Sequence, residues 1–384
     1  MPPEPPFSHP QIVSRPEIAR LPPYNAGLGP EAVKAQYGVS SVVKLGSNEN
    51  PYGPPPTVQV ALASLMEQVA LYPEADLTLR KALAATLGEP DSRIVLGNGS
   101  EQIIRMISEA YISPGDRVVT VVPSFGLHIL DAEAMGGVVE TVAVTDAWEF
   151  DLDAMIKAVS RPLKMLIFAN PSNPVGCMMA EADLRRLIAA CPCDCLIVVD
   201  EAYREYAEIN PEYPDARAIL RAQDRPWIVL RTFSKAYGLA GLRIGYAVTS
   251  SDEIARTLGI VRDPFNTNIA AQLAAIGALK GEDHVRSSVV RTGEDRERMR
   301  MRLKALRLDV APSLGNFLFF RTNMPSADLA ERLLPKGVIV KPWKEAGYTH
   351  WTRVSIGLPA ENDRFLAVLA DVLECVSVVE TMKA

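Results

Sequence analysis

Cysteine and long apolar runs are both scarce in this chain. Five cysteines in 384 residues, Cys177, Cys191, Cys193, Cys195 and Cys375, fit reduced thiols better than a disulfide framework. Three of them fall in the run CPCDC at 191–195. No histidine lies near it and the spacing lacks the pair of residues that usually separates zinc-ligand cysteines, so it reads as packing ahead of a strand and no metal is expected. Apolar stretches such as 118–122 and 196–199 are far below the ~20 residues that span a bilayer, which excludes a membrane helix. The opening MPPEPPFSHP has neither the basic nor the apolar segment of a secretory signal, so the cytoplasm is the expected location. Lysine and arginine form no run long enough for a basic patch. With 40 of them against 46 Asp and Glu, the net charge of −6 repels nucleic acid and anionic membrane.

What remains is an ordinary globular composition, 48% apolar and 22% charged, which gives disorder and coiled coil no support. The length exceeds the ~250–300 residues at which a single core stops growing, so a large domain with a smaller companion is expected. Nine of the thirty prolines fall in the first thirty residues, a composition that opposes regular helix and predicts an extended arm lying over another surface. Between 54 and 87 the pattern predicts two short helices broken at Tyr72-Pro73. Seven apolar runs follow: RIVLGNG, DRVVTVV, VVETVAV, KMLIFAN, CLIVVDEAY, WIVLRTFS and RIGYAVT. They alternate with helical stretches such as 101–111 and 181–190, which predicts an α/β domain with a mostly parallel sheet covered by helices on both faces. Past about 265 come a long charged helix over 284–306, short strands (FLFFRT, GVIVKP, TRVSIG) and a closing helix over 361–374, a smaller α+β domain. The arginines of the long helix (Arg286, Arg291, Arg296, Arg298, Arg300, Arg302) read as a solvated face, paired along the helix with Glu294, Asp295 and Glu297. The expected limits are 1–45 for the arm and part of the small domain, 46–270 for the large domain and 271–384 for the small one.

Chemistry concentrates in three stretches. FSKAYGLAGLRIGY at 233–246 follows an apolar strand and places Lys235 at the sheet edge where ligands of open α/β sheets bind. An amine there is a candidate nucleophile able to form a Schiff base with pyridoxal phosphate, and Arg243 could hold a phosphate bidentately. VVDEAYREY places Asp200 at the end of a buried strand, where a carboxylate needs a partner; a pyridinium nitrogen would be one, and Tyr203 could reach the ring's phenolic oxygen. ANPSNPVG at 169–176 would bring the Asn173 amide to the same oxygen.

In this order the motifs NPSNPVG, DEAY and SKAYGLAGLRIGY resemble the fold type I pyridoxal-phosphate aminotransferases. KLGSNENPYGPP at 44–55, LYPEADLTLRKALA at 71–84, GNGSEQI at 97–103 and TRVSIG at 352–357 look most like the histidinol-phosphate aminotransferase branch. The resemblance implies that Lys235 is the Schiff-base lysine, Asp200 the pyridinium partner, Asn173 and Tyr203 ligands of the ring oxygen, and Ser234 and Arg243 phosphate ligands. Backbone N–H groups of Ser100 and Glu101 would add to the phosphate site at a helix N-terminus. It further implies Phe125 stacked on the cofactor, Tyr72 reaching the cofactor of the other subunit of a homodimer, Arg353 on the substrate carboxylate with Asn316 beside it, and Tyr24 near the substrate. The family usually carries Thr at Val175, Tyr at Phe125 and at His128, and Arg at Lys341; Phe125, His128 and Lys341 border the region expected for a substrate phosphate. Lys supplies a point charge where Arg supplies a planar fork. The implied reaction is transamination between a small-molecule amino donor and a 2-oxo acid, with glutamate and 2-oxoglutarate as the usual second pair. An aromatic amino-acid aminotransferase and a decarboxylase of a phosphorylated amino acid use the same framework and stay open, because a fold does not fix the side-chain pocket.

Overall fold

The computed structural model describes residues 12–23, 27–73 and 77–381. The first eleven residues of the expected arm, and Tyr24, lie outside the described residues. Within the arm, two short helices form, Pro16–Ala19 and Pro30–Tyr37, each beginning on a proline. This corrects the expectation of an extended arm. Proline opposes a helix interior, but at the first helical position its missing N–H costs nothing and its fixed φ is already helical. Arg15 ties the arm to the body, donating to the Ala134 carbonyl at 2.9 Å.

The chain's strands are β1 (Val43–Lys44), β2 (Ile94–Gly97), β3 (Arg117–Val122), β4 (Val138–Ala143), β5 (Met165–Ala169), β6 (Leu196–Asp200), β7 (Trp227–Thr232), β8 (Gly245–Thr249), β9 (Asp309–Val310), β10 (Phe317–Arg321), β11 (Val338–Ile339), β12 (Lys341–Pro342) and β13 (Trp351–Ser355). All seven predicted apolar runs, β2 to β8, join one sheet in the order β2-β8-β7-β6-β5-β3-β4. Only β8 runs antiparallel to its neighbours. The strands read as continuous apolar runs because both faces are buried. Alternate residues feed two cores: Leu166, Ile197, Val199 and Val229 enter one, while Ile167, Val198, Ile228 and Leu230 enter the other. Helices Leu77–Leu87, Leu152–Val159 and Glu181–Ala190 cover the first core, and helices Gly99–Tyr111 and Asp252–Val261 cover the second.

The smaller unit is an antiparallel sheet, β12-β13-β10-β9, backed by helices Glu282–Ala305, Ser326–Leu333 and Pro359–Thr381. The run GVIVKP makes two strands instead of one. Val338 and Ile339 pair in parallel with β1, and Lys341 then crosses to face Arg353 on β13. Within the charged helix Arg300 donates to Glu297 at 2.7 Å as expected, whereas Arg302 reaches Asp363 of helix Pro359–Thr381 at 2.6 Å. Helix Ile269–Leu279 puts Ala271, Ala274, Ala275 and Ala278 into the first core of the large sheet. We therefore propose a domain seam near Gly281, after that helix, in place of 270–271.

Between the turns of that helix, Gly277 lies against helix Pro56–Ala61 so closely that a Cβ would stand 2.8 Å from both the Thr57 carbonyl oxygen and the Ala61 Cβ. Overpacking of a core typically costs ~1–3 kcal/mol. Gly277→Val is expected to lower stability in that range, read as a shifted urea midpoint with an unchanged slope.

Candidate functional site

The carboxyl ends of β5, β6 and β7 open into a cavity of about 380 Å³, closed from the small unit by Lys341, Trp343 and Arg353. This is where a buried parallel sheet presents its ligand crevice. It gathers residues distant in the chain because each strand ends at the same edge: Ala169 on β5, Asp200 on β6 and Thr232 on β7.

Lys235, three residues past β7, donates from Nζ to the Ser47 carbonyl at 3.0 Å and lies 5.7 Å from the centre of the Tyr203 ring. Burial pushes its pKa down to about 8, with the nearby Arg353 guanidinium pushing the same way. Asp200 Oδ1 accepts from the Ala202 N–H at 3.0 Å, and its Oδ2 stands 3.2 Å from His128 Nε2. His128 is fully buried, with Nδ1 3.5 Å from Ser124 Oγ. It does not line the cavity. The expectation that it borders a substrate phosphate is thereby corrected: on the inward face of helix Leu127–Ala134, the imidazole reaches the back of Asp200. Tyr203 is buried, its hydroxyl accepting from Asn48 Nδ2 at 2.9 Å, and burial raises its pKa.

At one end, the first turn of helix Gly99–Tyr111 brings Ser100 and Glu101 against Ser234 and Arg243. Arg243 donates to Ser234 Oγ at 3.3 Å and to Glu101 Oε2 at 2.9 Å. Exposed helix N–H groups beside a guanidinium favour a phosphate. The approach is close enough to require glycine at 99: its φ is +77°, and a Cβ there would stand 2.5 Å from Arg243 Nη2. At the other end Arg353 donates through Nη1 to Asn173 Oδ1 at 2.8 Å and through Nη2 to the Gly46 carbonyl at 2.7 Å. Its bond to the Asn173 oxygen leaves the amide nitrogen of Asn173 as that side chain's donor.

Phe125 lines the cavity, edge-on to His128 with ring centres 5.7 Å apart. Lys341 lines it too, its pKa pushed down by burial and then by the charges of Arg353 and Lys344. Two candidate residues stand elsewhere. Asn316 is fully buried behind the wall, donating to the Asn48 carbonyl at 3.0 Å. It supports the 46–49 segment, whose Gly46, Ser47 and Glu49 face the cavity, and does not line the space itself. Tyr72 lies outside the cavity, 79% exposed and stacked on Phe265 at 4.4 Å. Conversely, Trp343, Ser47 and Thr232 line the cavity without having been singled out in the sequence. Ser47 sits inside the KLGSNENPYGPP motif, and Trp343 and Thr232 lie close in sequence to Lys341 and Ser234.

Residues 40–369 match the sequence family described as aminotransferase class I and II. A Mesorhizobium japonicum protein named histidinol-phosphate aminotransferase 1 is 47% identical over 360 residues, covering 94% of this chain and 98% of its own. Histidinol-phosphate aminotransferase 3 of Rhizobium meliloti is 45% identical over 365 residues, covering 94% and 98%. Among solved structures, the histidinol-phosphate aminotransferase of Sinorhizobium meliloti in complex with pyridoxal-5'-phosphate is similar with a TM-score of 0.85 at 29% identity, covering 95% of this chain and 99% of that one.

An amine with a pKa of about 8 is roughly one-tenth neutral at pH 7, whereas an ordinary lysine is almost wholly protonated. Because the shift is downward, the neutral fraction grows as pH rises through about 8. Acylation of Lys235, followed by peptide mapping, is expected to rise with a midpoint near that pH, well below the surface lysines. Arg353→Met should move the midpoint upward by removing a neighbouring positive charge.

Proposed function

The chain belongs to the class I and II aminotransferases, and from that premise we infer that it is a pyridoxal-phosphate-dependent aminotransferase of histidinol phosphate, with glutamate and 2-oxoglutarate as the second pair. One observation carries the reading: a single cavity holds an amine, a carboxylate at the end of a buried strand, a phosphate cradle at one end and two cationic side chains at the other. The donor set fits the cofactor. Ser100, Ser234 and Arg243 supply phosphate donors, Asp200 supplies a carboxylate for a protonated ring nitrogen, and Tyr203 with Asn173 supply donors for the ring's phenolic oxygen. When bound, pyridoxal phosphate supplies an aldehyde that an amine can occupy and a ring that withdraws electrons.

The chain's own residues do the rest. Lys235, neutral in appreciable fraction because its ammonium is desolvated, takes a proton from the substrate carbon next to the amine and would deliver it to the carbon that the cofactor's aldehyde supplies. His128 holds Asp200 in place from behind. Arg353 and Lys341, adjacent across the β12–β13 pairing, form a cationic wall for the anionic end of the donor. That end is a carboxylate in glutamate and a phosphate in histidinol phosphate, and one wall serves both in turn. Lys341 contributes a point charge where the family's arginine would contribute a fork. An aromatic amino acid is the second reading, favoured by the apolar side of the adjoining cavity, where Ile129, Leu130 and Leu334 lie.

The homodimer reading draws support from the surface. Met66, Val69, Leu71, Tyr72, Ile260 and Phe265 are all more than half exposed, and the Tyr72–Phe265 stack joins the two segments into one apolar patch. Such a patch on a protein surface marks an interface. Tyr72 would then serve the partner's site. Sedimentation across a dilution series should give a dimer at micromolar concentration, and Tyr72→Arg with Phe265→Arg should weaken association at least tenfold. An active, fully monomeric wild type would remove this reading.

For the reaction itself, Lys235→Ala should retain the cofactor non-covalently and lose at least a thousandfold in turnover. Borohydride should fix the cofactor to Lys235 in the wild type, as read by mass spectrometry. In single half-reactions followed through cofactor absorbance, histidinol phosphate should exceed phenylalanine in specificity constant by at least tenfold, and Lys341→Ala should remove most of that difference. Carbon dioxide release without dependence on 2-oxoglutarate would point to the decarboxylase instead.

A further inference from the structure

The inner cavity opens into a second one of about 650 Å³ beneath the N-terminal arm, where Pro22, Pro23 and Leu28 form part of the wall. Five residues border both spaces: Gly46, Ser47, Gly126, Lys341 and Trp343. Two are glycines and one is a small serine, so only Lys341 and Trp343 present long side chains to anything that crosses. Once the cradle, Asp200 and Lys235 are engaged by the cofactor, the part of an amino donor remote from its amine has this doorway as its way out of the inner space.

The indole at the doorway is unusually well fixed. Its backbone N–H donates to the Trp351 carbonyl at 3.0 Å, and its carbonyl accepts from Ser326 Oγ at 3.0 Å. The ring stands edge-on to Phe319 at 5.7 Å and faces the Arg353 guanidinium at 6.0 Å. Its Nε1–H donates to Glu345 Oε2, and the same carboxylate accepts the Ser124 N–H from the large unit at 3.1 and 3.3 Å. A loop of the small unit is thus latched to the β3–helix loop of the large one, with the indole as the part that faces the substrate. Burial raises the Glu345 pKa, and both hydrogen bonds lower it by favouring the carboxylate.

We propose that Trp343, positioned by Glu345, which is itself bonded across the domain seam to Ser124, is a specificity-determining residue that selects the amino donor by stacking against the flat ring of its side chain. A planar heteroaromatic ring gains from an offset stack on a fixed indole, and a short side chain such as that of glutamate gains far less. The inference rests on the reading of the inner cavity as the transamination site.

The test uses the cofactor-loaded enzyme and two donors, histidinol phosphate and glutamate, in separate half-reactions. Trp343→Ala should raise the KM for histidinol phosphate at least tenfold more than the KM for glutamate, with kcat for each falling less than threefold. Trp343→Phe keeps a ring but lacks the indole N–H that Glu345 holds, and Glu345→Gln weakens that bond from the other side, so each should lose three- to tenfold of the selectivity, less than Trp343→Ala loses. Because both act through one hydrogen bond, the double variant Trp343→Phe with Glu345→Gln should lose no more than the worse single variant. Equal loss toward both donors in every variant, at full cofactor retention, would overturn the assignment of Trp343 while leaving the transaminase reading intact. Selectivity kept by Trp343→Ala would overturn it as well. Absence of any half-reaction with glutamate in the wild type would overturn the underlying reading instead.

Discussion

Arg353 is the interaction on which the rest of the site depends. It stands on a central strand of the small sheet, yet its two terminal nitrogens bond to Asn173, in the loop after β5, and to the carbonyl of Gly46. Three segments remote in sequence are thereby drawn into one wall. The same charge enters the electrostatics of its neighbours, pushing the pKa values of Lys235 and Lys341 down and opposing the rise that burial gives Tyr203. One guanidinium therefore helps to close the cavity and adds to burial in favouring the neutral amine inside it. A lysine in its place would keep charge but could not hold two acceptors in a fixed plane.

The large sheet supplies the rigidity this requires. Asp200 and Glu201 are adjacent carboxylates at the end of β6, and strand geometry sends neighbours to opposite faces. Asp200 faces the cavity and the buried His128. Glu201 is met by Arg231 of β7, whose Nε donates to it at 2.8 Å. Burying an ion pair is costly unless its geometry is good, and removing one partner would leave the other stranded. The pair ties β6 to β7, the two strands whose ends bring Asp200 and Lys235 into one cavity. Packing alone, with smooth apolar strands on both sides, would tolerate small slips more easily.

Much of this was legible beforehand because it is local. Apolar runs of strand length mark β2 to β8, and the ends of β5, β6 and β7 with the turns after them carry Asn173, Asp200 and Lys235. What escaped was decided by contacts between distant segments. Proline at a helix start looks, in composition, the same as proline in a coil, so Pro16 and Pro30 misled. Whether GVIVKP is one strand or two depends on β1, far upstream. His128 and Asn316 have partners that no spacing reveals, Asp200 and the carbonyl of Asn48. Trp343 and Glu345 look like surface residues until the fold lays them beside Ser124.

The pairing of β1 with β11 joins Val43 and Lys44 to Val338 and Ile339, and it ties the cavity wall to a segment far downstream. The residues just after β1, Gly46 to Glu49, form part of the cavity wall, yet their anchoring strand waits for a partner near the end of the chain. Closing so long a loop is slow relative to local folding. The wall that faces Lys235 thus rests on a contact between segments remote in the chain, while the strands that end at Asp200 and Lys235 pair with near neighbours in sequence.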